Sequence, residues 1–410
     1  MYAPKLGLRN IFRQKRRTAT TLLVMTFGIG CLLMAEGHSR YVEWGLRELT
    51  THTETGHLQI FSEDYFSREE DTVLKHGLEN YERIRGELNR IRDVEVVAAR
   101  ISFMGLISNG DKSVAFVGEG IEPEAEQEMR NLFGVGDPAY DSLMKYDGRA
   151  DIVVLGSGLA KSINARTGDC FTLLATTANG ALNAIDVEFA GSFQASSPEY
   201  DKRALIVPLH TAQLLLNTNK VKNLVVALDE TEKTGHLRDE IASRLKEKGF
   251  RVTVKKWSDL SMYYDRVRSF YHQMVGFLSL VLFIIVFFST ANTVMMAVVE
   301  RTREIGTMLS LGTSRWQTLR IFFFEGLFIG IIGGALSAVF ALALSRIIND
   351  AGIMLSPPPG LTFGYPLSIR NAIGFHIQTF IATVVVVTVA SILPALKVTT
   401  MKIVDALGHI

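Results

Sequence analysis

The residues best equipped for chemistry lie in one charged stretch, Glu300, Arg301, Thr302, Arg303 and Glu304, followed by Ile305, Gly306, Met308, Leu309, Leu311 and Gly312. Wound as a helix, Ile305, Met308, Leu309 and Gly312 share one face, and the charged residues form a polar shoulder beside it. Such a helix either satisfies its charges internally or offers them to a membrane surface or a docking partner. Glu325 sits inside an apolar run, where a carboxylate is costly and is either paired or functional. Its place near the end of that run, within reach of Arg320 or the charged stretch, supports a positioning role over an ion relay. Asn292 is the polar counterpart on the other side of the stretch. Other chemistries are poorly provided for. Gly156 to Ser162, GSGLAKS, lacks the glycine before Lys161 that a phosphate loop needs, and reads as a turn into a helix. His52 and His57 flank a polar turn without further ligands at metal spacing, and no G-x-S-x-G elbow is present, so these read as solvated loop residues.

The elements that must position the charged stretch are apolar runs on either side of it. Residues 273–299 and 319–346 are each long enough to cross a bilayer, since about 20 residues at 1.5 Å rise span the hydrocarbon. Two further spans are expected at residues 18–38 and 376–396, the last ending at Pro394. Residues 300–318 then form the connecting helix, 347–375 a loop with Pro357, Pro358 and Pro359, and 397–410 a tail with Lys397 and Lys402. In the third span Gly326, Gly330, Gly334 and Ala338 recur every four residues, with Gly333 alongside, leaving a face to which a neighbouring helix can approach closely. Residues 1–17 carry Lys5, Arg9, Arg13, Lys15, Arg16 and Arg17 among apolar residues, as an interfacial helix on an anionic leaflet would. The apolar run begins only after Arg17 and lacks a small-residue cleavage site, so a retained helix is expected in place of a cleaved signal. Basic clusters near membrane ends put both termini in the cytoplasm by the positive-inside rule.

Residues 39–272 contain no run that could cross a membrane and read as an α+β domain flanked by stalk helices. A strand at His57 to Phe61, an amphipathic helix over Leu74 to Arg92 and a hairpin turning at Asn109-Gly110 open it. A strand, helix and strand over Val221 to Val254 close it, and short strands between about 150 and 207 read as a β-rich insertion. The descending stalk carries Tyr263, Tyr264, Phe270 and Tyr271, an aromatic set that suits either acyl-chain contact or plain packing. The 410 residues are 48% hydrophobic with a net charge of +1, so no nucleic-acid partner is indicated. Cys31 lies in the first apolar run and Cys170 in the soluble segment, so no disulfide framework is expected.

The run E-R-T-R-E-I-G-T-M-x-x-L-G at Glu300 to Gly312 resembles the permease domain of the FtsX, MacB and LolC/LolE group of ABC transporters. Asn292 upstream and Glu325-Gly326 and Gly333-Gly334 downstream carry the same resemblance. So do Asn10, Lys15, Arg16, Arg17 and Thr18 before the first span, and Pro394-Ala395 and Val404-Asp405-Ala406-Leu407 at the end. Ser310 departs from the usual Ala. The resemblance implies an integral membrane α-helical fold of four spans, with a large extracytoplasmic α+β domain inserted between the first two. It also implies that Glu300, Arg301, Arg303, Glu304, Ile305, Gly306, Met308, Leu311 and Gly312 form a coupling helix for a cytoplasmic ABC ATPase dimer. ATP and Mg would then be bound by that partner, leaving this chain neither an enzyme nor a cofactor carrier. A second permease copy or paralogue, membrane lipid, and a periplasmic carrier, adaptor or outer-membrane partner are expected in a bacterial inner membrane. The implied work is mechanotransmission on lipoprotein or other lipid-linked cargo. The alternatives are MacB-like export of peptides, siderophores or drugs, and FtsX-like regulation of a cell-wall hydrolase.

Overall fold

The computed structural model describes residues 3–13, 15–66, 76–132, 151–195, 197–356 and 364–399. The expected tail, with Lys397 to Lys402 and Val404 to Leu407, and Pro357 to Pro359 lie wholly or in part outside the described residues. Contacts divide the chain into a helical unit and a sheet unit.

Four helices of the first unit are long and apolar enough to cross a membrane: Lys15–Leu49, Met262–Glu300, Arg315–Ala351 and Ile373–Thr399. Each outruns the span expected from sequence. The first runs on through the stalk, and the second takes in residues that the domain was expected to keep. The fourth passes through Pro394, although proline lacks the N–H for its helical bond. Ala395 beyond it is fully buried with Val294, Val298, Ile305 and Phe322, and that packing holds the last turn. The glycine face of the third helix meets the fourth: a Cβ on Gly330 would lie 2.9 Å from the Val384 Cα, and one on Gly334 2.8 Å from the Phe380 ring. Gly326 faces Ser391, while Gly333 turns toward Met25 of the first helix. Ala338 is only half-buried, and the register shifts to Ser337, which is fully buried and donates to the Met25 carbonyl at 3.0 Å. At the end away from the charged stretch, Ile369 and Asn349 exchange two hydrogen bonds of 2.8 and 3.0 Å, and the Arg370 N–H donates to the Gly37 carbonyl at 2.9 Å.

The second unit is built on a nine-stranded sheet: β1 Leu58–Ser62, β2 Val94–Ser108, β3 Ser113–Ile121, β4 Ile152–Gly156, β5 Cys170–Thr176, β6 Leu182–Phe193, β7 Ala204–Pro208, β8 Asn223–Leu228 and β9 Val252–Lys256. All fall between the first and second apolar helices in chain order. The hairpin β2/β3 turns at Asn109, whose Oδ1 accepts from the Asp111 and Lys112 N–H groups, with Gly110 at φ +91°.

The β-rich region is larger than the expected insertion at 150–207. Pairing runs β2–β3–β7–β4–β6–β5 and returns to β2, so six strands close a ring that recruits the preceding hairpin. Strand β2 makes this possible. Its 15 residues, about 50 Å at 3.3 Å each, pair with β8 over Val94 to Arg100 and with β5 over Gly105 to Ser108. Closure removes the edges that four short strands alone would leave open. On the other side β8, β1 and β9 complete a sheet covered by the helices Tyr81–Leu88 and Thr234–Glu247, which bury Ile84, Leu88, Leu237, Ile241 and Leu245. One core joins both parts.

Two sequence readings in this unit resolve differently. Gly156 to Ser162 is the expected turn from β4 into the helix Ser157–Ser162, and the Asp201 carboxylate sits on it, accepting from the Gly158 N–H at 2.6 Å and the Ala195 N–H at 2.8 Å. His57 is no solvated loop residue but is buried at 1% exposure. Its Nδ1 accepts from the Leu228 N–H at 3.1 Å, which places the proton on Nε2, 3.0 Å from Thr231 Oγ1. Burial, with His52 and Arg47 nearby, pulls its pKa down to about 4.

Candidate functional site

The charged stretch forms a helix of nine residues, Thr302–Ser310, shorter than the expected 300–318. It breaks from the second apolar helix at Arg301 and ends before Gly312, whose φ of +90° is the left-handed conformation glycine adopts freely. Ser314 then caps the third apolar helix: its Oγ accepts from the Gln317 N–H at 3.3 Å, and the Gln317 side chain accepts from the Ser314 N–H at 3.0 Å. A nine-residue helix is marginal in water by itself, so tertiary contacts must hold it.

Those contacts split the nine sequence-derived residues into two groups. Ile305 and Gly306 are buried, and Ile305 packs with Val294, Val298, Phe322 and Ala395, so the apolar face fastens the helix to its own bundle. Met308 is half-buried. Arg301 is also buried, which corrects its place on a solvent-facing shoulder. Its guanidinium supplies positive charge toward Glu325, which is 5% exposed and accepts from Asn10 Nδ2 at 3.3 Å. Arg303, Leu311 and Gly312 remain exposed, Leu311 at 82%. Trp316, just beyond, is 76% exposed. These four, with Thr307 and Ser310, make the surface available to a partner at this end.

Glu300 and Glu304 are exposed but engaged. Arg17 donates to Glu300 Oε1 at 2.5 Å, and the two terminal nitrogens of the Arg13 guanidinium donate to Glu304, at 2.9 and 3.4 Å. Arg13 ends the N-terminal helix Ala3–Arg13. That helix packs on the third apolar helix, where a Cβ on Gly7 would sit 3.1 Å from the Glu325 amide nitrogen and 3.3 Å from the Ile321 carbonyl. Asn10, Arg13, Arg17 and Trp316 are the residues sequence reasoning passed over as site residues. Asn10 and Arg17 stood in the quoted N-terminal pattern, but their partners lie 315 and 283 positions away.

The remaining candidates do not converge here. Asn292 is exposed on the second apolar helix, and its side chain makes no hydrogen bond among the described residues. In the stalk, Tyr264 is buried against Trp257, with ring centroids 4.8 Å apart and planes at 74°, so it belongs to packing and offers no surface to cargo. Tyr263 and Phe270 are exposed and Tyr271 half-buried, with Phe270 and Tyr271 in edge contact at 5.8 Å.

Comparison with known proteins agrees with this architecture. A model of the FtsX-like permease C-terminal domain matches residues 276–403, and one of the MacB-like periplasmic core domain matches residues 18–244, over half of the 410 residues. The chain is 25% identical over 290 residues to the lipoprotein-releasing system transmembrane protein LolE of Haemophilus influenzae, covering 66% of each protein. It is 21% identical over 355 residues to LolC of Neisseria meningitidis, covering 83% of this chain and 81% of that one. To the macrolide export ATP-binding/permease protein MacB of Marinobacter nauticus it is 26% identical over 181 residues, 42% of this chain and 28% of that one. The chain thus spans just under two thirds of the LolE relative's length and little more than a quarter of the MacB relative's. With both parts of the chain matched and the charged connector set between the second and third of four apolar helices, this protein belongs to the FtsX-like and MacB-like permease family of ABC transporters.

Proposed function

We propose that this chain is the permease subunit of an ATP-driven machine of the bacterial inner membrane, with both termini in the cytoplasm and the sheet unit outside. The observation that carries the reading is the helix Thr302–Ser310, fastened inward by Ile305 while Arg303, Leu311, Gly312 and Trp316 face out at the turn between two membrane helices. A separate ATPase dimer, binding ATP and Mg, docks on that outward surface. Its closure draws together the connectors of two permease copies or paralogues, and the long helices carry the motion outward. The cargo this supports best is a lipoprotein or other lipid-linked molecule, handed to a periplasmic carrier, adaptor or outer-membrane partner. The matches to LolE and LolC, which span most of those proteins, favour it. The match to the MacB-like core domain keeps export of a small molecule or peptide as the second reading.

The decisive experiment co-expresses the full chain with its cognate ATPase and purifies the complex in mild detergent. Charge reversal at Arg303 together with Leu311→Asp should abolish ATPase recovery while membrane insertion is unchanged. Undiminished recovery overturns the docking surface. Retention of lipoproteins in the inner membrane of depleted cells, against normal lipoprotein sorting with a loss of export, separates the two cargo readings.

A further inference from the structure

The connector Thr302–Ser310 is joined by the chain only to the second and third apolar helices; the first has no covalent link to it. Two ion pairs nevertheless reach across from the N-terminal side: Arg17, at the start of the first apolar helix, to Glu300, the last residue of the second, 283 positions away, and Arg13, at the end of the N-terminal helix, to Glu304 on the connector, 291 positions away. The spacing on the two sides matches: Glu300 and Glu304 are four residues apart, and so are Arg13 and Arg17. Each arginine therefore meets a carboxylate of opposite charge on the far side of a helix break.

Three further contacts hold the arginines in place. Asn10 reaches Glu325 at 3.3 Å, on the element that follows the connector. The backbone of Gly7 lies against Ile321, Phe324 and Glu325, an approach that a larger residue would obstruct. Thr18 Oγ1 donates to the Ile11 carbonyl at 3.2 Å, tying the first apolar helix back to the N-terminal helix. Arg13 and Asn10 thus fasten the N-terminal helix to the connector and to the third helix, while Arg17 and the Thr18 bond fasten the first apolar helix to the residue that precedes the connector and to that same N-terminal helix.

We infer that the N-terminal helix is a clamp, in which Arg13 and Arg17 act as positioning residues that make the first membrane helix travel with the connector. The inference rests on the coupling role proposed above, which it deepens by adding a third helix to the lever. The ion pairs suit this task better than a folding task. The Arg13 and Glu304 side chains are 61% and 51% exposed, and exposed pairs add little to global stability while still fixing geometry. Their loss should therefore leave a folded protein whose first helix is no longer slaved to the connector.

The test uses the full chain in lipid nanodiscs with spin labels at Thr20→Cys and Thr307→Cys, both exposed positions, in a Cys31→Ser, Cys170→Ser background. Double electron-electron resonance should give one narrow distance for the parent. In Arg13→Glu/Arg17→Glu the distribution should broaden toward longer distances, the clamped-to-open ratio falling roughly two- to thirtyfold for two exposed pairs. Adding Glu300→Arg and Glu304→Arg should restore the narrow distance, which a merely misfolded variant could not do. About 1 M salt, where the Debye length is about 3 Å, should reproduce the broadening in the parent. An unchanged distribution in the double variant, or failure of the fourfold variant to restore it, overturns the clamp. Co-purification of the ATPase with the parent is scored separately, so a missing ATPase counts against the coupling role and an unchanged distance counts against the clamp alone.

Discussion

Lowering the pH should loosen the sheet unit through one side chain, His57. In the native fold its imidazole is neutral, because Nδ1 must keep a lone pair for the Leu228 N–H. Protonation would place a second N–H against that donor and strand a charge in a site that is 1% exposed. The flanking groups are mixed in sign: His52 and Arg47 oppose the proton, Asp229 and Glu232 favour it, and burial outweighs both. The native pKa of about 4 lies below the ordinary 6.5, so the unfolded chain binds the proton more readily. The stabilisation is therefore complete above pH 6.5 and is lost as the pH falls toward 4. At most it amounts to about 3 kcal/mol, from a shift of between two and three pKa units at about 1.4 kcal/mol each. Between pH 7.5 and pH 5 the loss should be about 2 kcal/mol, before carboxylate titration complicates the comparison. Hydrogen exchange of the β1 and β8 amides in the full chain, compared with His57→Gln, isolates the effect. The variant should start weaker and be nearly flat over that interval. If parent and variant lose protection in parallel, His57 is not the titrating group and the account of its buried neutral state fails.

Gly330→Leu should lower the thermal midpoint of the detergent-solubilised chain, because its Cβ would lie 2.9 Å from the backbone of Val384; overpacking of this kind costs about 1–3 kcal/mol or more. Gly276→Leu, where nothing lies within 4 Å, should leave the midpoint in place, and equal effects would show that the glycine face has no special role. Glu325→Gln keeps an acceptor for Asn10 but removes the negative charge that the buried Arg301 guanidinium feels, so the yield of folded chain should drop. Arg301→Met in the same background should recover much of it, and failure to do so would remove the electrostatic explanation.

Much of this protein is legible along the chain because its strongest signals are local. Apolar runs longer than a bilayer is thick, a glycine every fourth residue and an Asn-Gly turn each depend on residues within a few positions of one another. They sufficed for the four membrane helices, the helical connector and the hairpin β2/β3. The family of the connector was readable for the same reason, since its motif is contiguous. What local patterns could not decide is which neighbour each face meets. Amphipathicity placed Ile305 and Met308 on one side of the connector, but only the fold showed that Ile305 is turned inward, onto Val294 and Phe322, leaving Arg303 and Leu311 outside. The basic N-terminus is legible as a charged helix beside a membrane span, but that Arg13 and Arg17 stand opposite Glu304 and Glu300, hundreds of positions away, was decided by the fold. Strand β2 likewise looked like half of a hairpin, and its service in both a closed ring and a sheet follows from hydrogen bonds that carry no mark in the sequence. Composition and periodicity state which surfaces must be hidden, since that cost is paid residue by residue. Which surface hides which is settled by long-range packing, where the whole chain chooses among partners of similar chemistry.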